Sequence, residues 1–278
     1  MSSFSVVTNI TSLEAQIQLG NTQTNLQKTI TQLTSGLRIN SSADDAAGLA
    51  VANRDQLDDT GLQAGIRSAG DAVSTLQAED GAMQNISTLL NRAMALASQA
   101  ASDTFQGDRN TLNDEFTSVL AEITRTATAV GLGTSGSALI DQKIWIGNTQ
   151  TNTGASVSYI TVSLAGSSAV DASGLAVDSS TITSQANAAS AISAIQNAMD
   201  TLGKTQGTVG AAMNRLQFAI SQAQTLDVSV QANRSSIMDA NIAAAAANLS
   251  KYQILQQSGI AALAQANTSP EAILQLLH

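Results

Sequence analysis

Apolar residues recur along most of this chain in alternating steps of four and three. The first long run starts at Leu62 and passes through Ile66, Ala69, Val73, Leu76, Asp80, Met83, Ser87, Leu90, Met94 and Ala97, and only Asp80 and Ser87 break its apolar character. After the turn-forming stretch SDTFQGDRN, a second run takes Leu112, Phe116, Val119, Ile123, Thr126 and Val130. The third is the longest: Ile192, Ile195, Met199, Leu202, Gln206, Val209, Met213, Leu216, Ile220, Ala223, Asp227, Val230, Arg234 and Ile237. A repeat of about 3.5 residues sustained over so many turns predicts helices lying side by side with a shallow left-handed crossing. The pattern therefore predicts a mainly α protein: a long antiparallel bundle, or coiled coil, of one long helix, one shorter returning helix and one long C-terminal helix. The single proline, Pro270, lies outside all three runs, so nothing in them forbids continuous helix.

The texture changes between the second and third runs. In DQKIWIGNTQTNTGASVSYITVSLAG, Ile144 and Ile146 alternate around Trp145, and Ile160, Val162 and Leu164 alternate with polar neighbours across an Asn-, Thr- and Gly-rich connection. Period two with turn residues at its centre predicts a β-hairpin at about 141–165, sitting as a small cap on the bundle. From Gly166 to Ser184 the composition, rich in Ser, Ala and Gly, reads as a connector.

The two ends form a pair of another kind. Residues 1–40 carry only Glu14, Lys28 and Arg38 as charged side chains, and residues 239–278 only Asp239, Lys251 and Glu271. On a helix, Ile10, Leu13 and Ile17 share one face, whereas Leu19, Leu26, Ile30, Leu33 and Leu37 lie on the opposite one. In the C-terminal segment Ile242, Leu249, Tyr252, Leu255, Ile260 and Leu263 occupy one broad arc. Both helices need neighbours on more than one side, which one copy of the chain does not supply, so they predict self-assembly and a meeting of the two ends. Between the first helix and the bundle the chain breaks at LTSGLRINSSADDAAGLAVANR. Asn40, Ser41 and Ser42 are turn formers, Asp44 or Asp45 is placed to cap the next helix, and Gly36 and Gly48 permit unusual backbone angles or close approach.

Composition narrows the function classes. With a formal net charge of −9 and no basic stripe, the chain lacks the clustered Lys and Arg that binding phosphate backbones requires. The absence of cysteine removes thiol chemistry, disulfides and cysteine metal sites. No apolar stretch approaches the roughly 20 residues of a membrane span, and the N-terminus has neither a basic region nor a continuous apolar core of a secretory signal. The stretch AMDTLGKTQG around Gly203, Lys204 and Thr205 approaches a phosphate-binding loop, but Ala198 replaces the first glycine and no strand precedes it. Adjacent carboxylates at Asp44–Asp45, Asp58–Asp59, Glu79–Asp80 and Asp114–Glu115 lack convergent histidines, since the only histidine is His278. Neither a cofactor nor an enzyme activity is expected.

The segment LTSGLRINSSADDAAGLAVANR and the C-terminal NRSSIMDANIAAAAANLSKYQILQQSGIAALAQANTSPEAILQLLH together resemble bacterial flagellin, notably at Gln253 to Gln257 and Leu263 to Asn267. The resemblance covers nearly the whole chain and departs from long flagellins in the centre, where no variable outer domain fits between Asp141 and Ser184. It implies a structural subunit of the bacterial flagellar filament that serves motility, the alternative being a hook–filament junction protein with the same terminal architecture. It implies an inner domain built from residues 1–43 and 238–278 and a bundle domain at 44–237. Self-assembly would then rest on Ile10, Leu13, Ile17, Leu26, Ile30, Leu33, Leu37, Ile242, Leu249, Tyr252, Leu255, Ile260 and Leu263, with Asn40, Ser41, Asp44, Asp45 and Gly48 forming the spoke between domains. Implied partners are further copies of the chain, an export chaperone and the type III export apparatus, the filament cap and hook-associated proteins. A Toll-like receptor would meet Arg92, Leu96 and Glu115, although Ala95 stands where recognised members carry Glu. The implied location is secreted, in the extracellular filament.

Overall fold

The computed structural model describes residues 9–105, 107–134, 142–151, 154–162 and 169–276. In chain order they form α1 (Ile10–Ser35), α2 (Ala46–Ala101), α3 (Arg109–Ala129), β1 (Gln142–Thr151), β2 (Gly154–Val162), α4 (Gln185–Met238) and α5 (Ile242–Leu276). The chain divides into two compact units, Asp58–Val228 and the pair of end segments Met1–Leu57 and Ser229–His278. Long helices with one small hairpin are what the hydrophobic pattern predicts.

Within Asp58–Val228, residues of α2, α3 and α4 share one hydrophobic core. Alternate positions of the expected seams are buried, Leu62, Ala69, Leu76, Met83, Leu90 and Ala97 on α2 and Ile195, Leu202, Val209, Leu216 and Ala223 on α4, whereas Val230 and Ile237, later on the same α4 row, are only half-buried. The companion row is displaced by one residue. On α2 the structure buries Glu79, Ile86, Ala93 and Ala100 instead of Asp80, Ser87 and Met94. On α4 it buries Ala191, Ala198, Thr205 and Ala212 instead of Ile192, Met199, Gln206 and Met213. Alanine at the closest approach lets the helix axes come together, and the bulkier Met94, Ile192, Met199 and Met213 lie half-buried along the shoulders of that contact.

Helix α3 returns antiparallel to α2. Asp108 caps it by accepting the Asn110 N–H at 2.9 Å, and Arg109 Nε donates to the Ala100 carbonyl at 2.9 Å across the turn. Phe116, Leu120, Ile123 and Ala127 are its buried face.

The hairpin is antiparallel, with Ile144 opposite Ile160 and Trp145 opposite Tyr159, and Ile146 forms a bulge before Gly147. The outer ends of the expected hairpin, residues 141 and 163–165, lie outside the described residues. The hairpin rests against α2 and α4 close to where this unit begins and ends. A Cβ added at Gly65 would stand 2.3 Å from the Ile146 carbonyl carbon, and one at Gly61 would stand 3.6 Å from the Trp145 ring. Two bare helical positions one turn apart thus let the β1 backbone rest directly on α2. Ile144, Val162 and the half-buried Ile160 then join the helical core.

The expected connector is also packed. Val170, Ala172, Leu175, Val177 and Ile182 are buried. The Val170 N–H donates to the Leu132 carbonyl at 3.0 Å and the Ile182 N–H to Asn113 Oδ1 at 2.9 Å, fastening the segment to α3 and its exit. The Asp171 carboxylate accepts bonds from the Thr134 N–H and hydroxyl and from the Gly174 N–H. Burial pushes its pKa up, but those bonds outweigh burial and leave it below the usual carboxylate value.

Candidate self-assembly site

Helices α1 and α5 form an antiparallel pair. At one end Asn9 caps α1 by accepting the Ser12 N–H, while its own Nδ2 donates to the Ala266 carbonyl at 2.7 Å. Ser12 Oγ bonds Asn267 Oδ1 at 2.8 Å. Further along, Gly259 faces Leu19 so closely that an added Cβ would stand 3.2 Å from its Cδ1. At the other end Leu37 and Asp239 form an isolated antiparallel bridge.

The face that α1 presents to this pair repeats every seven residues. Leu19, Leu26 and Leu33 are half-buried, and Thr22 and Thr29 between them are buried. Each threonine hydroxyl donates to the carbonyl four residues earlier at 2.8 Å, so burial leaves neither unpaired. On α5 the matching row is Ala245, Leu249, Tyr252, Gln256, Gly259, Leu263 and Ala266, all buried or half-buried. Ser12, Thr22, Thr29 and Gly259 belong to this contact although apolar counting passes over them; their heptad spacing with the leucines is the signal that marks them.

The expected assembly residues therefore separate into two sets. Leu26, Leu33, Leu37, Leu249, Tyr252 and Leu263 are at least half-buried within the unit. Ile10, Leu13, Ile17, Ile30, Ile242, Leu255 and Ile260 face outward, with exposures from 43% for Leu255 to 59% for Ile17. Ile254, which the apolar arc omits, is 64% exposed and extends the outward row.

The crossing from α1 to α2 is held by short bonds. Gly36 ends α1 in the left-handed region at φ 71°. Arg38 donates from its backbone to the Met238 carbonyl at 2.6 Å and from its guanidinium to the Ile237 carbonyl at 2.8 Å, and the Ala240 N–H returns a bond to the Gly36 carbonyl at 2.9 Å. Asp44 Oδ2 accepts from the Asn40 and Ser41 N–H groups at 3.1 Å each, and its Oδ1 pairs with Lys28 at 2.8 Å. Lys28 and the Asn40 N–H hold the Asp44 carboxyl down at about 2. Asp45, and not Asp44, caps α2: its Oδ1 accepts the Gly48 N–H at 2.8 Å. At Gly48 an added Cβ would fall 2.8 Å from Ile39 Cδ1 and 2.5 Å from Asp45 Oδ2, so a larger residue there would displace the capping carboxylate.

Elsewhere, Arg92 and Glu115 meet as an exposed ion pair between α2 and α3, whereas Leu96 lies in the core at 2% exposure. Gly203, Lys204 and Thr205 sit inside α4, where the Thr205 hydroxyl donates back to the Thr201 carbonyl at 3.1 Å. Among the described residues no cluster of His, Asp or Glu is placed to hold a metal ion, and no helix is long and apolar enough to cross a membrane.

Residues 6–142 match the family described as bacterial flagellin N-terminal helical region, and residues 192–277 the bacterial flagellin C-terminal helical region. A flagellin of Halalkalibacterium halodurans is 33% identical over 274 residues, covering 97% of this chain and 98% of its own. A flagellin of Listeria innocua is 33% identical over 286 residues, covering 98% and 99%. The flagellar filament 33 kDa core protein of Treponema phagedenis is 30% identical over 286 residues, covering 97% and 98%. Among solved structures, Bacillus cereus flagellin aligns over 56% of this chain and 88% of its own, with 25% identity and a TM-score of 0.44.

Proposed function

The chain belongs to the bacterial flagellin family, and from that premise we propose how it works as a structural subunit of the flagellar filament. It is a non-enzymatic protein that polymerises with further copies of itself and serves motility mechanically. The observation that carries the proposal is the outward apolar set of the α1–α5 pair: Ile10, Leu13, Ile17 and Ile30 on one helix, and Ile242, Ile254, Leu255 and Ile260 on the other. These rows are the surfaces by which copies join, since burying each such side chain contributes about 1.5–3 kcal/mol before ordering costs, repeated at every subunit. Functionally, residues 1–43 and 238–278 form the inner part of the filament and 44–237 the bundle outside it. Asn40, Ser41, Asp44, Asp45 and Gly48 form the spoke between the two parts.

The same reading extends to partners. Before assembly the apolar α5 rows are a surface for an export chaperone, and the chain leaves the cell through a type III export apparatus to an extracellular filament bounded by cap and hook-associated proteins. A Toll-like receptor would meet the Arg92–Glu115 pair, with Leu96 supporting it from below.

Deleting Ser250 to His278 tests the central claim. The truncated chain is expected to lose filament growth in light scattering and electron microscopy while circular dichroism still shows cooperative melting of the bundle. Filaments of normal length from the truncated chain would refute the role given to α5.

A further inference from the structure

We propose that Asn9 latches the far end of α1 onto a carbonyl of α5 that the chain's single proline leaves without its helical donor, and that this latch sets the register in which the two end helices present their outward rows. The proposal rests on the chain being a filament subunit.

The acceptor is created by the sequence. In an α-helix the carbonyl of residue 266 takes the N–H of residue 270, and residue 270 is Pro270, which has no N–H. Pro270 nevertheless lies inside α5, so the helix runs past a carbonyl that lacks its usual donor. Asn9 Nδ2 supplies one, 2.7 Å from the Ala266 oxygen. The other end of the same amide holds α1, because Oδ1 accepts the Ser12 N–H and the Thr11 hydroxyl at 3.1 Å each. Capping α1 thereby aims the donor at α5. Beside it Ser12, 7% exposed, donates its hydroxyl to Asn267 Oδ1 at 2.8 Å.

The seam between the helices does not choose a register by itself. The bonds at the crossing hold the near ends, but Asn9 is about 40 Å of helix away from Leu37. Along that length the leucines of α1 recur every seven residues, and Leu19 faces Gly259. A slip of seven residues, about 10 Å, would set Leu26 against Gly259 instead, and a slip the other way would bring Ile260 to Ser12 in place of Asn267. Apolar packing leaves such alignments nearly equivalent, and polar partners at one position tell them apart. With the latch closed, Ile17 comes level with Ile260, both outward at 59% and 55% exposure, so the face offered to other copies is assembled from both helices.

Asn9→Ser keeps a capping oxygen and removes the donor. The subunit concentration left in equilibrium with filaments is expected to rise about tenfold, with bundle melting by circular dichroism unchanged. In a Pro270→Ala background the restored N–H serves the Ala266 oxygen, and Asn9→Ser should then raise that concentration by about twofold or less. Equal factors in the two backgrounds would overturn the latch, as would no effect of Asn9→Ser in the unaltered chain, and self-assembly would still stand. Absence of filaments from the unaltered chain would overturn the proposed function itself. The chain has no cysteine, so Leu19→Cys with Gly259→Cys reports the register directly. In filaments of this pair a short bis-maleimide is expected to close an intrachain loop, seen as a shifted monomer band, and adding Asn9→Ser should lower its yield several-fold. An unchanged yield would overturn the role in register.

Discussion

Asp44 and Glu79 have opposite surroundings and should give opposite pH responses in separate windows. Asp44 is stabilised as an anion by Lys28 and two backbone N–H groups, which lower its pKa from 3.8 to about 2. Its contribution is present above the unfolded value and is lost as pH falls from about 4 to 2, so the crossing should loosen in that range, and Asp44→Asn should loosen it already at neutral pH. Amide exchange of residues 39–48 would detect both. Glu79 is 2% exposed on the α2 core row with an unpartnered Oε2, and burial raises its pKa from 4.5 to about 7. The folded protein then holds a proton that the unfolded chain has released, so the bundle should lose stability as pH rises from about 4.5 to 7, by about 3 kcal/mol. Glu79→Gln should remove that loss, and urea midpoints at pH 5 and pH 8 should differ for the unaltered chain and coincide for the variant. The lowered carboxylates Asp44, Glu122 and Asp171 titrate below this window and do not mask it.

At the level of helices, the shared rows of the seams carry the strongest expectation. Leu76 is 5% exposed and Leu216 fully buried, so Leu76→Asp and Leu216→Asp should each lower bundle stability by about 3–5 kcal/mol, through lost packing and a carboxylate without a partner. Thermal unfolding with unchanged midpoints would contradict the register. That register was only half readable from apolar spacing. Leu, Ile, Val and Met mark one row correctly, but the companion row is made of Ala93, Ala100, Ala191, Ala198 and Ala212, whose small size is the reason they are innermost. Glu79 and Thr205 on the same row have no apolar signature at all. Period two located the hairpin, but its placement depends on Gly61 and Gly65, and an isolated glycine in a helical run announces a cost and not a neighbour. The connector was misread for a related reason, because few large apolar residues and a Ser-rich background hide Val170, Leu175, Val177 and Ile182. On α1 the two faces are readable from apolar position except at Ile30, which the pattern places with Leu26 and Leu33 and which faces outward; on α5 the single expected arc divides into inward Leu249, Tyr252 and Leu263 and outward Ile242, Leu255 and Ile260, and the hydroxyl positions Thr22 and Thr29 need the partner helix to give them meaning.

The two compact units differ in how much of their apolar surface the chain itself covers, and this sets an order of events for the subunit. Asp58–Val228 contains almost the entire buried apolar core, including Phe116, Met83, Ile86 and Leu90 at 0% exposure. In the other unit α1 and α5 cover one face each, and the buried residues of α1 are Ser12, Thr22 and Thr29. A pair of helices joined through one such face holds little against the entropy of ordering about 26 residues of α1 and 35 of α5. In the dissolved monomer the amides of residues 10–35 and 245–265 should therefore exchange fast, while those of 83–100 and 195–216 exchange only with global unfolding. The proposed covering of the outward rows on polymerisation should raise protection of the first two segments toward that of the bundle. Hydrogen exchange followed by mass spectrometry, on monomer and on filament, distinguishes the two states. Bundle-like protection of residues 10–35 in the monomer would mean that α1 and α5 fold as a finished unit before they meet another copy, and the outward isoleucines would then need a different explanation.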